Sequence, residues 1–190
     1  MGEYVAGRLL DLGLTPDKIV GVGHSVGCHI LDSITTAFEN RGLGKIHVVW
    51  GMCPATDGYV GWPEMKGLNP GSADTVVHVY TDNKGPFIPR GSINYFINPG
   101  CELQPGCNSY ECNHIACLTV MGLAFHPASI ANQEAFIGDK CFQDLDGCFT
   151  SDETSKLAPS SVAQKGCFCP NVDNKPPYYK KPSQPICSAK

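Results

Sequence analysis

The pentapeptide Gly23-His24-Ser25-Val26-Gly27 constrains this chain more than any other stretch. Before it, Lys18-Ile19-Val20-Gly21-Val22 reads as a short buried strand. After it, Ile30, Ile34 and Phe38 recur at helical spacing, which predicts a helix over 26–38 ended by Arg41-Gly42. A serine on so tight a strand-to-helix turn has strained backbone angles, and its hydroxyl projects above the sheet near a helix N-terminus. Glycines at Gly23 and Gly27 let strand and helix pack closely around it. The Val26 N–H is then placed to donate to an oxyanion, and Ser25 is a candidate nucleophile.

The flanks extend this pattern. Residues 3–13 read as an amphipathic helix carrying Tyr4, Val5, Leu9, Leu10 and Leu12, closed by Gly13 and a Thr15-Pro16-Asp17 turn. Lys45 to Trp50 and Thr75 to Thr81 read as further strands. Strand, helix, strand is the grammar of a mostly parallel sheet flanked by helices, so the expected class is α/β. From residue 83 the texture turns to Gly, Pro, Asn and Cys, with one more predicted helix over 115–125 and a loop-like stretch from 138 to a Pro-rich, basic end. The chain of 190 residues is read as one domain, a core over 1–136 and a Cys/Pro-rich segment over 137–190.

Composition narrows the function. A net charge of −4 argues against nucleic acid as a partner. No apolar run approaches the length of a membrane-spanning helix. Eleven cysteines, most of them beyond residue 100, point to an oxidising compartment and disulfides. Zinc is the lesser reading because paired C-x2-C knuckles are absent, so neither a metal nor a cofactor is expected. Residues 1–20 hold no continuous apolar run of the kind a leader needs, since Asp11, Asp17 and Lys18 interrupt it. The expectation is a secreted protein whose leader lies on an N-terminal part outside this sequence.

A serine nucleophile needs a histidine base, and the base needs an orienting acid. His29, His47 and His78 fall within the predicted helix or strands and read as structural. His114 stands in a loop that Cys107 and Cys112, just before it, could clamp, whereas His126 precedes Pro127 in a less constrained stretch. His114 is the stronger candidate because a catalytic histidine usually rides on a positioned loop.

These pieces together resemble the animal pancreatic-lipase and phospholipase A1 family. GHSVGCH over 23–29 is close to its GHSLGAH, WGMCPA over 50–55 to its GLDPA, and SADTVVHVYTD over 72–82 to its DADFVDVIHTD. NYFINPG over 94–100 with QPGC over 104–107 matches its DFYPNGG and QPGC, and Cys112-Asn113-His114 its CNH. Gly166-Cys167-Phe168-Cys169-Pro170 is a looser echo of its GxCFPC. The resemblance implies a partial α/β-hydrolase fold with a disulfide-rich loop region at the C-terminal end. It also implies a secreted lipase-like ester hydrolase that meets a lipid or other ester at a peripheral interface. Ser25 would be the nucleophile and His114 the general base.

The family's catalytic aspartate falls at Cys53, so the expectation is a chain that lacks the usual acid. Asp57, four residues on, is the candidate substitute, ranked above Asp82 because Asp82 matches a non-catalytic family position. The family's first strands have no counterpart here, which suggests a piece of a longer chain. Its lid shrinks to Asn108-Ser109-Tyr110-Glu111. The resemblance implies a Cys107–Cys112 bridge, Cys141 with Cys148 or Cys167, and Cys169 with Cys187. Cys28 and Cys53 are read either as a bond tying the elbow helix to the acid position or as two buried thiols. The main functional expectation is serine-dependent ester hydrolysis of reduced activity; the alternative is an inactive homologue acting as a secreted binding or storage protein.

Overall fold

The computed structural model describes residues 1–55, 67–82, 89–99, 102–127, 136–140, 155–157 and 165–170. Asp57, Cys141, Cys148 and Cys187 lie outside the described residues. The chain divides into two compact units, residues 1–78 with 90–92, and residues 79–89 with 93–190.

The first unit contains helix α1 (Gly2–Asp11), a short 3-10 turn at Pro16–Lys18, strand β1 (Val20–His24), helix α2 (Gly27–Asn40) and strand β2 (Val48–Met52). Strand β3 (Thr75–Tyr80) runs across the boundary, with Thr75 to His78 on this side. The strand order is β1-β2-β3, and β1 pairs with β2 in parallel, Val20 opposite Val48 and His24 opposite Met52. Parallel neighbours need a crossover, and α2 supplies it.

The core of this unit gathers Ala6, Cys28, Ile34, Ala37, Phe38, Ile46, Val49 and Val76. The buried side chains of α2 fall at Cys28, Ile34, Thr35, Ala37 and Phe38, the helical spacing of one apolar face. Helix α1 crosses α2 closely because Gly2 has no side chain: a Cβ there would collide with the Ser33 carbonyl. Strand β1 differs from the buried strand expected of it. Val20 and Val22 are exposed, and the buried positions are Gly21 and Gly23. The reason is the closeness of α2, since a Cβ on Gly21 would already meet Leu31 Cδ2 at 3.2 Å.

The second unit contains the end of β3, strand β4 (Ile93–Phe96), helix α3 (Tyr110–Ala124), and strands β5 (Phe136–Lys140), β6 (Ser155–Leu157) and β7 (Gly166–Pro170). Its strand order is β3-β4-β7-β5-β6. Strand β7 is parallel to β4, and β5 is antiparallel to both β7 and β6. These three late strands fall in and beside the stretch that reads as loop from sequence. Strand β7 holds its place through packing: Phe168 is buried and its ring lies 5.7 Å from that of Tyr95.

Helix α3 begins five residues before the predicted start, and His114 sits on it rather than in a loop. Ser109 is the N-cap, in extended backbone, and its side chain accepts a hydrogen bond from the Cys112 N–H at 3.2 Å. A Cys107–Cys112 disulfide closes this turn. Capping and cross-link together let the helix start where the sequence shows no apolar periodicity. The molecule is thus α/β, a mostly parallel sheet with flanking helices and a cysteine-rich C-terminal part. Among the described residues no helix is long and apolar enough to cross a membrane.

Candidate functional site

Ser25 occupies the turn between β1 and α2 with φ of 53°, the left-handed region that side chains disfavour. Its N–H donates to the Met52 carbonyl at 3.0 Å, which fixes the turn to the end of β2. Gly23 is obligatory: a Cβ there would stand 2.8 Å from the Cys28 nitrogen and from the Gly27 carbonyl. Gly27 is not, because a Cβ there meets nothing within 4 Å. The motif alone assigns both glycines the same steric role; only the one before the serine has it. Val26 is the N-cap of α2 and is half exposed. Neither the Ser25 hydroxyl nor the Val26 N–H has a hydrogen-bond partner among the described residues.

Cys28 and Cys53 remain thiols, both fully buried, so the bond considered between them is not formed. The Cys28 thiol is turned to the elbow instead and donates to the Gly23 carbonyl at 3.2 Å. Burial pushes its pKa up to about 12, which makes it inert as a nucleophile. His29 is structural: its Nδ1 accepts from the Leu68 N–H at 3.3 Å, so its Nε2 carries the proton and donates to Ala55 O at 2.8 Å.

His114 lies one turn into α3, and its Nδ1 stands 2.7 Å from Asp82 Oδ2. A carboxylate only accepts, so Nδ1 donates and the tautomer is set. Asp82 follows β3 by two residues, at the strand end where α/β sheets carry their functional loops. This corrects the expectation of a missing acid: an aspartate is paired with His114, and it is Asp82. The signal in the sequence is the strand-end position of Asp82, which the family pattern at Cys53 masks.

A buried polar lattice holds the pair from behind. Thr81 Oγ1 donates to the Asn113 carbonyl at 2.6 Å, joining the residues just before Asp82 and His114. Gln104 is almost wholly buried and donates from Nε2 to the Thr81 and Ile97 carbonyls, both at 2.9 Å. Its Oε1 accepts from Asn98 Nδ2 at 3.0 Å, and its backbone N–H donates to Asn113 Oδ1 at 2.7 Å. Every polar atom of the Gln104 amide group thus has a partner, and such a lattice is rigid.

This corrects the expectation of ester hydrolysis by a serine nucleophile: Cys53 is a fully buried thiol, and the Ser25 hydroxyl makes no hydrogen bond among the described residues. A fully buried thiol behaves as a small apolar group.

A family model described as Lipase matches residues 2–147. Pancreatic triacylglycerol lipase of Mus musculus is 30% identical over 188 residues, covering 87% of this chain and 39% of that protein. Pancreatic lipase-related protein 2 of Rattus norvegicus is 28% identical over 171 residues, covering 75% of this chain and 35% of that protein. Phospholipase A1 member A of Bos taurus is 39% identical over 102 residues, covering 53% of this chain and 21% of that protein. The chain spans less than half the length of these relatives.

Proposed function

Because the chain belongs to the lipase family, we propose that it is a homologue that has left serine-ester chemistry and serves as a secreted binding protein for acyl lipids. One observation carries this reading: the Ser25 hydroxyl makes no hydrogen bond among the described residues, while the position of the family's usual acid holds the fully buried thiol of Cys53. A serine hydroxyl is a weak nucleophile until a base takes its proton. The ligand class follows the relatives, whose names speak of triacylglycerol and phospholipid. The Cys107–Cys112 bond and the disulfide-bonded Cys167 and Cys169 support the oxidising compartment.

The test compares the 190-residue chain with its Ser25→Ala variant. Both are treated with a fluorophosphonate probe, assayed on p-nitrophenyl butyrate, and titrated with a fluorescent phosphatidylcholine analogue. The expected result is no Ser25-dependent labelling or turnover and the same lipid Kd for both proteins. Labelling or turnover that vanishes in Ser25→Ala restores a serine enzyme. Absence of lipid binding in both removes the binding role.

A further inference from the structure

We propose that Tyr110 is a positioning residue for the His114–Asp82 pair. The Tyr110 hydroxyl donates to Asp82 Oδ2 at 3.1 Å, the same oxygen that accepts from His114 Nδ1 at 2.7 Å. A carboxylate oxygen has nothing to donate, so the phenol is the donor. Tyr110 and His114 are four residues apart on α3 and therefore share a face. Their rings stack with centroids 6.0 Å apart and planes inclined by 21°. One side chain thus touches both members of the pair, the acid through its hydroxyl and the imidazole through its ring.

The arrangement follows from the shortened turn. The Ser109 cap and the Cys107–Cys112 bridge make Tyr110 the first residue of α3, so its ring points along the same side as His114. Without the phenol, Oδ2 keeps one donor among the described residues, His114 Nδ1, and the rotamer of the aspartate is held less firmly. Hydrogen bonds to a charged group are among the stronger ones, so the hydroxyl limits rotation of the carboxylate. Tyr110 fixes the rotamer of Asp82, and Asp82 in turn fixes the proton of His114 on Nδ1. This ordering of the pair is independent of lipid binding.

The measurement is the tautomer of His114 in protein labelled with 15N-histidine, read at neutral pH from the two ring nitrogens. The full chain is compared with Tyr110→Phe, which keeps the stacked ring and loses only the hydroxyl. Tyr110→Phe is expected to lower the ratio of Nδ1–H to Nε2–H about threefold or more, since one charged hydrogen bond is gone. Tyr110→Leu, which also loses the ring, lowers it further. If Tyr110→Phe keeps the parent ratio while remaining folded by near-ultraviolet circular dichroism, Tyr110 is only a packing residue and the proposal fails. A fall in Tyr110→Leu alone overturns it in the same way.

Discussion

Around Ser25 the constraint is steric. Gly21 and Gly23 are buried because α2 leaves no space for a side chain, and Ser25 is held at positive φ by the backbone around it. Around His114 the constraint is polar. Asp82 is held by Tyr110 and His114, and the neighbouring Thr81, Gln104, Asn98 and Asn113 are linked by their own hydrogen bonds, all of 2.6 to 3.1 Å. The two regions carry the residues that a serine hydrolase would use together, yet different forces keep them. Steric shape at the elbow persists as long as the sheet and α2 pack, whatever the serine does. A polar lattice persists only while each donor and acceptor is satisfied. Each region can therefore persist for its packing or its polar bonds alone, because both are also structural.

The largest test falls on the elbow. Gly23→Ala places a Cβ 2.8 Å from backbone atoms of Gly27 and Cys28, which no side-chain movement relieves. The expected cost is about 3 kcal/mol or more, read as a lower urea midpoint. Gly27→Ala is the control, with an open Cβ position and an expected change of less than about 1 kcal/mol. Equal losses in both would break the claim that the steric constraint is one-sided. On the other side of the comparison, Gln104→Leu removes three buried hydrogen bonds, those to the Asn98 amide and to the carbonyls of Thr81 and Ile97. That is expected to cost about 2–3 kcal/mol, with disordering of the His114 resonance.

The first unit also contains a buried polar group, and it makes a test by pH. His78 is fully buried, and burial first, then His29 and Arg90, pull its pKa down from 6.5 to about 3. The folded protein thus holds His78 neutral where the unfolded chain would bind a proton. Its contribution is fully present above the unfolded value near 6.5 and is lost as pH falls towards 3. At about 1.4 kcal/mol per pH unit, lowering the pH from 6.5 to 5 removes about 2 kcal/mol. Urea unfolding of the parent and of His78→Leu at both pH values isolates this share, and a parent slope no steeper than the variant's would discard it.

The first unit is legible in the sequence because its signals are local. Apolar spacing marks α2, β-branched runs mark β2 and β3, and glycines mark the turn at Ser25. The second unit rests on pairings that local patterns do not carry. Strand β7 has Gly, Cys and Pro among its five residues and becomes a strand through its pairing with β4 and β5. The start of α3 depends on a cap and a disulfide, which have no periodicity to read. Ser25 and His114 are both visible as candidates in the sequence, whereas Asp82 is visible but ranks too low. Its partnership with His114 spans 32 residues and is a fact of folding. Tyr110 gives no signal at all, since its role exists only once α3 brings it over Asp82.

The smallest expected effect is the most direct probe of what the elbow still does. Ser25 sits at φ of 53°, where glycine is comfortable and other residues are strained. Its hydroxyl makes no hydrogen bond among the described residues that substitution would lose. Ser25→Gly should therefore raise stability by about 0.5 kcal/mol, the relief of strain being partly offset by the greater freedom of glycine in the unfolded chain. Ser25→Val is the counterpart, because a β-branched side chain is most opposed to positive φ, and it should lower stability by about 1–2 kcal/mol. A serine kept for its hydroxyl would give the opposite order, with Ser25→Gly costing stability or abolishing lipid binding. The urea midpoints of the two variants, measured beside the lipid Kd, decide whether Ser25 is held by the backbone around it or by a partner for its oxygen.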